Sequence, residues 1–429
     1  MKILIKNATL ISMSEKRERI EENIDIKIED RKIVEIGKKL SEDDVEKIID
    51  ATGKIVMPGL INTHSHVPMS IFRETVDGYA LQEWLSEKIW PMEDKLTNED
   101  IYYASMLSFI EMIQTGCTTI NDMYAMTDDI IKAALETKIR LQTTRTLMSV
   151  AGKEDADKRL QELEEIVKKY KNKYENITIN TAIHGLYTTN REYVQKAIEF
   201  AKKNELLIHM HFCENAKEIE DIKNMYNKAP MQILKEFGNE KVLLAHCVKL
   251  GKEDIKELSK YNVSVSHCPV SNLKLGCGIA DITEMVNQNI NVSLGTDGQG
   301  SGSNLDMFET MKYAALLQKG INENAKLLPA YEVLKMATIN GAKALGLEEK
   351  IGSIEEGKEA DLIILELKNA ITKPVNDLLS DIVYNAKGSN VITTIVAGNI
   401  LMENQKIKLD IDDKEIIEEC RKTIERIII

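Results

Sequence analysis

No run of apolar residues in this sequence is long enough to cross a bilayer, so it reads as a soluble chain. Its six cysteines, Cys117, Cys213, Cys247, Cys268, Cys277 and Cys420, never fall at a Cys-x-x-Cys spacing. A zinc knuckle or a redox motif would need that spacing, and the scatter disfavours a disulfide framework, so buried, reduced thiols are expected instead. A basic excess is missing as well. The net charge is −13, and phosphate binding needs a basic face, so neither nucleic acid nor an anionic membrane is expected as a partner. A small-molecule substrate is expected. Basic pairs such as Lys168-Lys169 and Lys202-Lys203 fall on polar helix faces and read as solvated charge. The first apolar stretch is short and broken by Lys6 and Asn7, which suits an alternating strand and not a secretory signal. Cytoplasm is therefore the expected location. There is no internal repeat and no low-complexity segment.

At 429 residues the chain exceeds the usual size of one domain. One catalytic barrel with a small accessory domain is the natural arrangement. Lys2-Ile5, Ile24-Ile28, Ile33-Ile36 and Lys47-Asp50 read as short strands separated by polar turns. Ala360-Leu367 and Val391-Ile400 read as strands at the other end, with Gly357, Gly388 and Gly398 at turns. The two ends are expected to complete one small β-sandwich, residues 1–57 with 358–410, and 411–429 to form a C-terminal helix.

Between the ends, strand-like runs alternate with amphipathic helices, the rhythm of a (β/α)8 barrel over residues 58–357 in the α/β class. The runs are Thr118-Asn121, Arg140-Thr144, Ile177-His184, Leu206-His211, Val242-His246, Val263-His267 and Val292-Asp297. One helix is marked at both ends, by a capping-box pattern at Thr97-Asn98-Glu99-Asp100 and by Gly116. All seven histidines fall in this region, most at or just past the C-terminal end of a strand. Any one histidine is more simply a hydrogen-bonded core residue. Repetition of one topological position weakens that reading, because the C-terminal face of a barrel holds its catalytic site.

His64-Ser65-His66 places two imidazoles on the same side of an extended segment, where both can reach one ion. Alone, His-x-His is weak. His211, in Leu207-Ile208-His209-Met210-His211, and Asp297, at the end of Val292-Asp297, complete a set of three imidazoles and one carboxylate with room for water. Such a set fits catalytic zinc, with iron or manganese as substitutes. Asp297 also reads as a turn residue before Gly298, and His209 as a support for His211. The run Gly298-Gln299-Gly300-Ser301-Gly302 is not followed by Gly-Lys-Ser/Thr, so it is no phosphate loop. It is expected to be a flexible loop with Ser301 near the site.

Several stretches resemble the amidohydrolase superfamily and, within it, the 5′-methylthioadenosine/S-adenosylhomocysteine deaminases. They are Pro58-Gly59-Leu60-Ile61-Asn62-Thr63-His64-Ser65-His66, Glu83-Trp84-Leu85 with Trp90-Pro91-Met92-Glu93, the His211-x-x-Glu214 pair, Ala245-His246-Cys247, the run Ser266 to Gly276, and Gly295-Thr296-Asp297-Gly298. The resemblance extends over nearly the whole chain and implies one divalent metal, most often zinc, held by His64, His66, His211 and Asp297. The strand ending at His184 lacks the lysine of binuclear relatives, and no Pro-Cys-x-x-Cys zinc pair of the cytidine-deaminase kind is present.

The implied reaction is hydrolytic deamination of a 5′-substituted adenosine at C6, yielding ammonia and the inosine analogue. Asp297 would take the proton of the attacking water, Glu214 would carry a proton to the ring nitrogen, and His246 would steady the attacking oxygen. A plainer role for Glu214 is a carboxylate at a helix N-terminus, and for His246 and His267 simple packing. The resemblance further implies that Glu93 binds the ribose hydroxyls, that His184 touches the nucleoside and that Arg145, with Arg159 as a candidate companion, meets an amino-acid carboxylate. Trp84 could stack on the substrate or belong to the core, and Arg145 could be merely ion-paired. Related amidohydrolases, such as a chlorohydrolase or a guanine or cytosine deaminase, form the alternative, and Glu93 speaks against them because a free base has no ribose. A homo-oligomer is expected.

Overall fold

The computed structural model describes residues 1–368 and 372–428. Eight strands form the expected barrel: β1 (Leu60–Ser65), β2 (Cys117–Asp122), β3 (Arg140–Thr143), β4 (Ile177–Ile179 continuing as Thr181–Ile183), β5 (Ile208–Phe212), β6 (Val242–His246), β7 (Val263–His267) and β8 (Asn291–Leu294). Neighbours pair in parallel from β1 to β4 and from β4 to β8. The break in β4 lies at Asn180, whose N–H bonds back to Thr143 while that of Thr181 turns to Leu207. Closure comes where the Asp297 N–H reaches the His64 carbonyl at 3.0 Å.

The final barrel strand is shorter than the apolar run suggested, ending at Leu294 and leaving Gly295 to Asp297 outside it. Asp297 takes a left-handed φ of 62°, which no regular strand accommodates. The capping box is present as read: the Thr97 hydroxyl accepts from the Asp100 N–H, and the Asp100 carboxylate accepts from the Thr97 N–H at 2.7 Å, opening the Asn98–Gln114 helix.

Both chain ends join one mixed sheet of nine strands, enclosing an apolar cluster that includes Ile3, Ile26, Val56, Leu362 and Ile395. Ile55–Pro58 belongs to this sheet, and the chain passes from it into β1 through Gly59. A Cβ at Gly59 would lie 2.1 Å from the Thr118 hydroxyl, so only glycine permits that close approach. The run expected as one strand over Val391-Ile400 is two, Val391–Val396 and Asn399–Glu403, folded back at Gly398. There φ is 73° and a Cβ would strike the Asp30 carbonyl. The Asp413–Ile428 helix packs on Asn98–Gln114, with the Thr423 hydroxyl donating to Asp100 at 2.6 Å.

One buried ion cluster ties the barrel to the chain-end sheet. Arg140, at the start of β3, is forked on Asp361 at 2.9 and 3.0 Å and reaches Glu359 at 2.6 Å. Arg31 meets the same Glu359 from a more exposed position. Arg140→Met is expected to cost about 3–5 kcal/mol, since buried carboxylates would lose their cation. A thermal melt checks this, with Arg31→Met, expected to cost no more than about 1 kcal/mol, as the control.

Candidate active site

The predicted ligands converge at the C-terminal ends of β1, β5 and β8, His64 and His211 on the last residues of their strands and His66 and Asp297 just past theirs. The donor atoms of His64, His66, His211 and Asp297 all lie within 4.8 Å of one another. Hydrogen bonds at the far side of two rings set their direction. His66 Nδ1 donates to the Met123 carbonyl at 2.7 Å, and His211 Nδ1 donates to the His184 carbonyl at 2.6 Å. Each ring therefore turns its Nε2 inward, the nitrogen left to meet a metal. His66 Nε2 stands 3.1 Å from Asp297 Oδ1 and 3.3 Å from His211 Nε2. His64 Nε2 is buried without a hydrogen-bond partner, 3.4 Å from Asp297 Oδ1.

An orphaned buried nitrogen, two fixed imidazoles and a buried carboxylate are costly to bring together unless something binds them. The donor set fits one divalent metal. Burial alone would raise Asp297, but the two imidazoles outweigh it and hold its carboxyl well below the usual carboxylate range. Asp297 also accepts from the Ser301 hydroxyl at 2.8 Å and from the Gly298 N–H at 2.9 Å.

The Gly298 to Gly302 run is thus no flexible loop. It forms a buried helical turn, Gln299–Gly302, packed so closely that a Cβ at Gly298 would lie 2.6 Å from Met69 Sδ. His209 supports a ligand as expected, but a different one: its Nε2 meets His64 Nδ1 at 3.0 Å, with Asn121 on its other nitrogen at 3.1 Å.

Glu214 and His246 stand beside the ligand set. Glu214 Oε2 is 3.7 Å from His246 Nε2, and Oε1 accepts from the Cys277 thiol at 3.7 Å. Burial, reinforced by the Asp297 and Glu218 carboxylates, pushes Glu214 well above the ordinary range, which favours a carboxyl that can hold and release a proton. Burial takes the His246 imidazole down to about 3, so it is neutral. Asn272 holds its Nδ1 at 3.1 Å.

The helix-terminal role read as the plainer one for Glu214 belongs to Glu218. Asn215 caps the Ala216–Tyr226 helix, and the Glu218 carboxylate accepts from the N–H groups of Cys213 and Glu214 at 2.9 and 2.6 Å. Glu214 precedes the cap and is left to the cavity. No sequence cue singled out Glu218 or Cys277. An i, i+3 search from the cap at Asn215 could have found Glu218.

A cavity of about 550 Å³ opens over these groups, lined also by Trp84, Glu93, Tyr124, His184, Arg145 and Arg159. Trp84 is both buried in the core and part of the wall. Arg145 is ion-paired to Glu162 at 2.6 Å and Arg159 to Asp155 at 2.5 Å, yet both reach the same cavity. Burial takes His184 down to about 3, and its Nδ1 meets the Thr188 hydroxyl at 3.1 Å. His267 is buried with neither ring nitrogen partnered and does not line the cavity.

The model of the amidohydrolase family matches residues 55–401, from the last strand before the barrel to the return of the chain-end sheet. The chain belongs to this family. Among curated amidohydrolase relatives, it is 39% identical to a 5-methylthioadenosine/S-adenosylhomocysteine deaminase of Caldanaerobacter subterraneus, over 100% of this chain and 99% of that one. It is 40% identical to a 5′-deoxyadenosine deaminase of Methanosarcina mazei, over 99% of this chain and 98% of that one. Among solved amidohydrolase-like structures, an adenosine deaminase from Xanthomonas campestris with bound zinc superposes with a TM-score of 0.93 at 28% identity, covering 99% of this chain and 98% of that one. Among the described residues, no helix is long and apolar enough to cross a membrane.

Proposed function

We propose that this amidohydrolase hydrolytically deaminates 5′-substituted adenosines, namely 5′-deoxyadenosine, 5′-methylthioadenosine, S-adenosylhomocysteine and adenosine. One observation carries this: a single cavity is lined at the ligand set by Glu214, His246 and Asp297, and elsewhere by Glu93 and Trp84. A hydrolase acting on a free base or a halogenated ring has no use for the carboxylate of Glu93. The names of full-length relatives at about two-fifths identity support the same substrate class.

His64, His66, His211 and Asp297 would hold zinc, and iron or manganese suit the same donors. Such a metal, when bound, lowers the pKa of water enough to supply the nucleophile near neutral pH. The other steps fall to side chains of this chain. Asp297 takes the proton of the attacking water. Glu214 delivers a proton to the ring nitrogen beside C6, so that charge does not build up on the purine. His246, oriented by Asn272, hydrogen-bonds the attacking oxygen as C6 becomes tetrahedral. Proton return to the exocyclic nitrogen then releases ammonia and leaves the inosine analogue. Trp84 packs on the nucleoside, His184 touches it, Glu93 receives the ribose hydroxyls, and Arg145 with Arg159 faces a carboxylate-bearing 5′ group.

The reading also includes a cytoplasmic homo-oligomer. Sedimentation measures the oligomeric state. The deciding experiment incubates metal-loaded protein with the four nucleosides, following ammonia and the ultraviolet change from adenine to hypoxanthine. At least the 5′-deoxy and 5′-methylthio compounds are expected to turn over. No ammonia from any of the four ends the deaminase reading.

A further inference from the structure

Glu93 is half-buried, and its carboxyl faces the cavity, where partial loss of hydration raises it. Among the described residues, it has no cation against it and a single hydrogen-bond donor, the Tyr124 hydroxyl. A carboxylate offers about four acceptor positions, so one phenol leaves most of them unfilled. A half-buried carboxylate that faces a cavity with acceptor positions free is placed to take donors from a bound ligand.

The two partners stand on different parts of the molecule. Glu93 ends the helical turn Trp90–Glu93, in the segment between β1 and the Asn98–Gln114 helix. Tyr124 lies just past β2 and is pinned to the barrel: its carbonyl accepts from the Thr146 N–H at 3.0 Å and the Thr146 hydroxyl at 2.8 Å. The residue before it, Met123, holds His66 at 2.7 Å and is itself bonded to Ser65 at 2.9 Å. Thus the phenol is fixed to the same rim as a metal ligand, and it is the polar tie between that rim and Glu93.

We propose that Tyr124 is a specificity-determining residue, whose hydroxyl sets the Glu93 carboxyl at a fixed distance from the reacting centre and so selects substrates carrying a free ribose 2′,3′-diol. The inference rests on the deaminase reading above. While donating to Glu93, the phenol oxygen keeps its own lone pairs, so the pair offers acceptors from two residues to the two hydroxyls. Phenylalanine at this position would preserve the apolar wall and remove only the tie.

The test measures steady-state kinetics on the best riboside of the nucleoside panel and on its 2′,3′-dideoxy counterpart. For Tyr124→Phe, KM for the riboside is expected to rise about tenfold, as loss of a hydrogen bond to a charged group implies, with kcat changed less than about threefold. KM for the dideoxy compound is expected to stay unchanged, so discrimination between the two collapses. A merely structural role would move both substrates alike. Tyr124→His keeps a donor and is expected to retain part of the discrimination, which preserves the test if the phenylalanine variant does not fold. Parallel loss on both substrates in both variants, or no loss in either, overturns the proposal. A parent enzyme that deaminates no riboside condemns the deaminase reading instead.

Discussion

Glu214→Gln is expected to keep the fold and bind metal normally while losing about 10²–10⁴-fold in kcat, the range for removing a positioned proton donor. The substitution is nearly isosteric, and the amide oxygen can still accept from the Cys277 thiol that meets Oε1. It cannot transfer a proton. The environment makes the loss informative, because Glu214 is buried and carries no helix-capping duty, which falls to Glu218. A purely structural carboxylate in that place would give a variant with a lower melting temperature and proportionate loss of activity. A variant that melts like the parent, holds metal and does not turn over assigns the proton step. Full activity removes Glu214 from the mechanism. The raised Glu214 also gives the sign of the pH dependence: the protonated form is the donor, so turnover is expected to fall as pH rises through its folded-state pKa.

Removal of the metal carries the largest expected effect. Dialysis against a chelator should bring activity to below about a ten-thousandth of the loaded rate, since free water near neutral pH holds far less hydroxide than water on a divalent ion. Zinc should restore it. The apo chain is expected to remain folded, because its ligands sit on or just past barrel strands that pair through their backbones. It should melt at a lower temperature than the loaded chain, because an ion that binds only the folded state stabilises it. The orphaned His64 Nε2 points to the same conclusion. His211→Ala, which removes one of the three imidazoles, should raise the metal concentration needed for reactivation. Undiminished activity after exhaustive chelation, with metal content measured as nil, would sink the metal reading.

Much of this protein was legible without coordinates. The barrel rhythm, the chain-end strands, the capping box at Thr97 and the metal-ligand candidates all come from patterns set within a few residues: alternation along a strand, spacing past its end, a polar residue opening a helix. His64, His66, His211 and Asp297 were recoverable because each occupies one topological position, and the barrel brings such positions to one face. The glycine run was misread. Composition suggests mobility, whereas its glycines serve a close approach to Met69 and Trp84.

What the tertiary structure alone decided is the pairing of groups far apart in the chain. Tyr124 meets Glu93 across 31 residues, Cys277 meets Glu214 across 63, and Arg140 meets Asp361 across 221. None of these residues announces its partner, because the contacts depend on barrel closure and on loops returning over its face, not on local propensity. The division of labour between Glu214 and Glu218 is of the same kind. Either carboxylate could cap the helix by sequence, and only the position of Asn215 as cap sends Glu218 back to the backbone and leaves Glu214 facing the cavity.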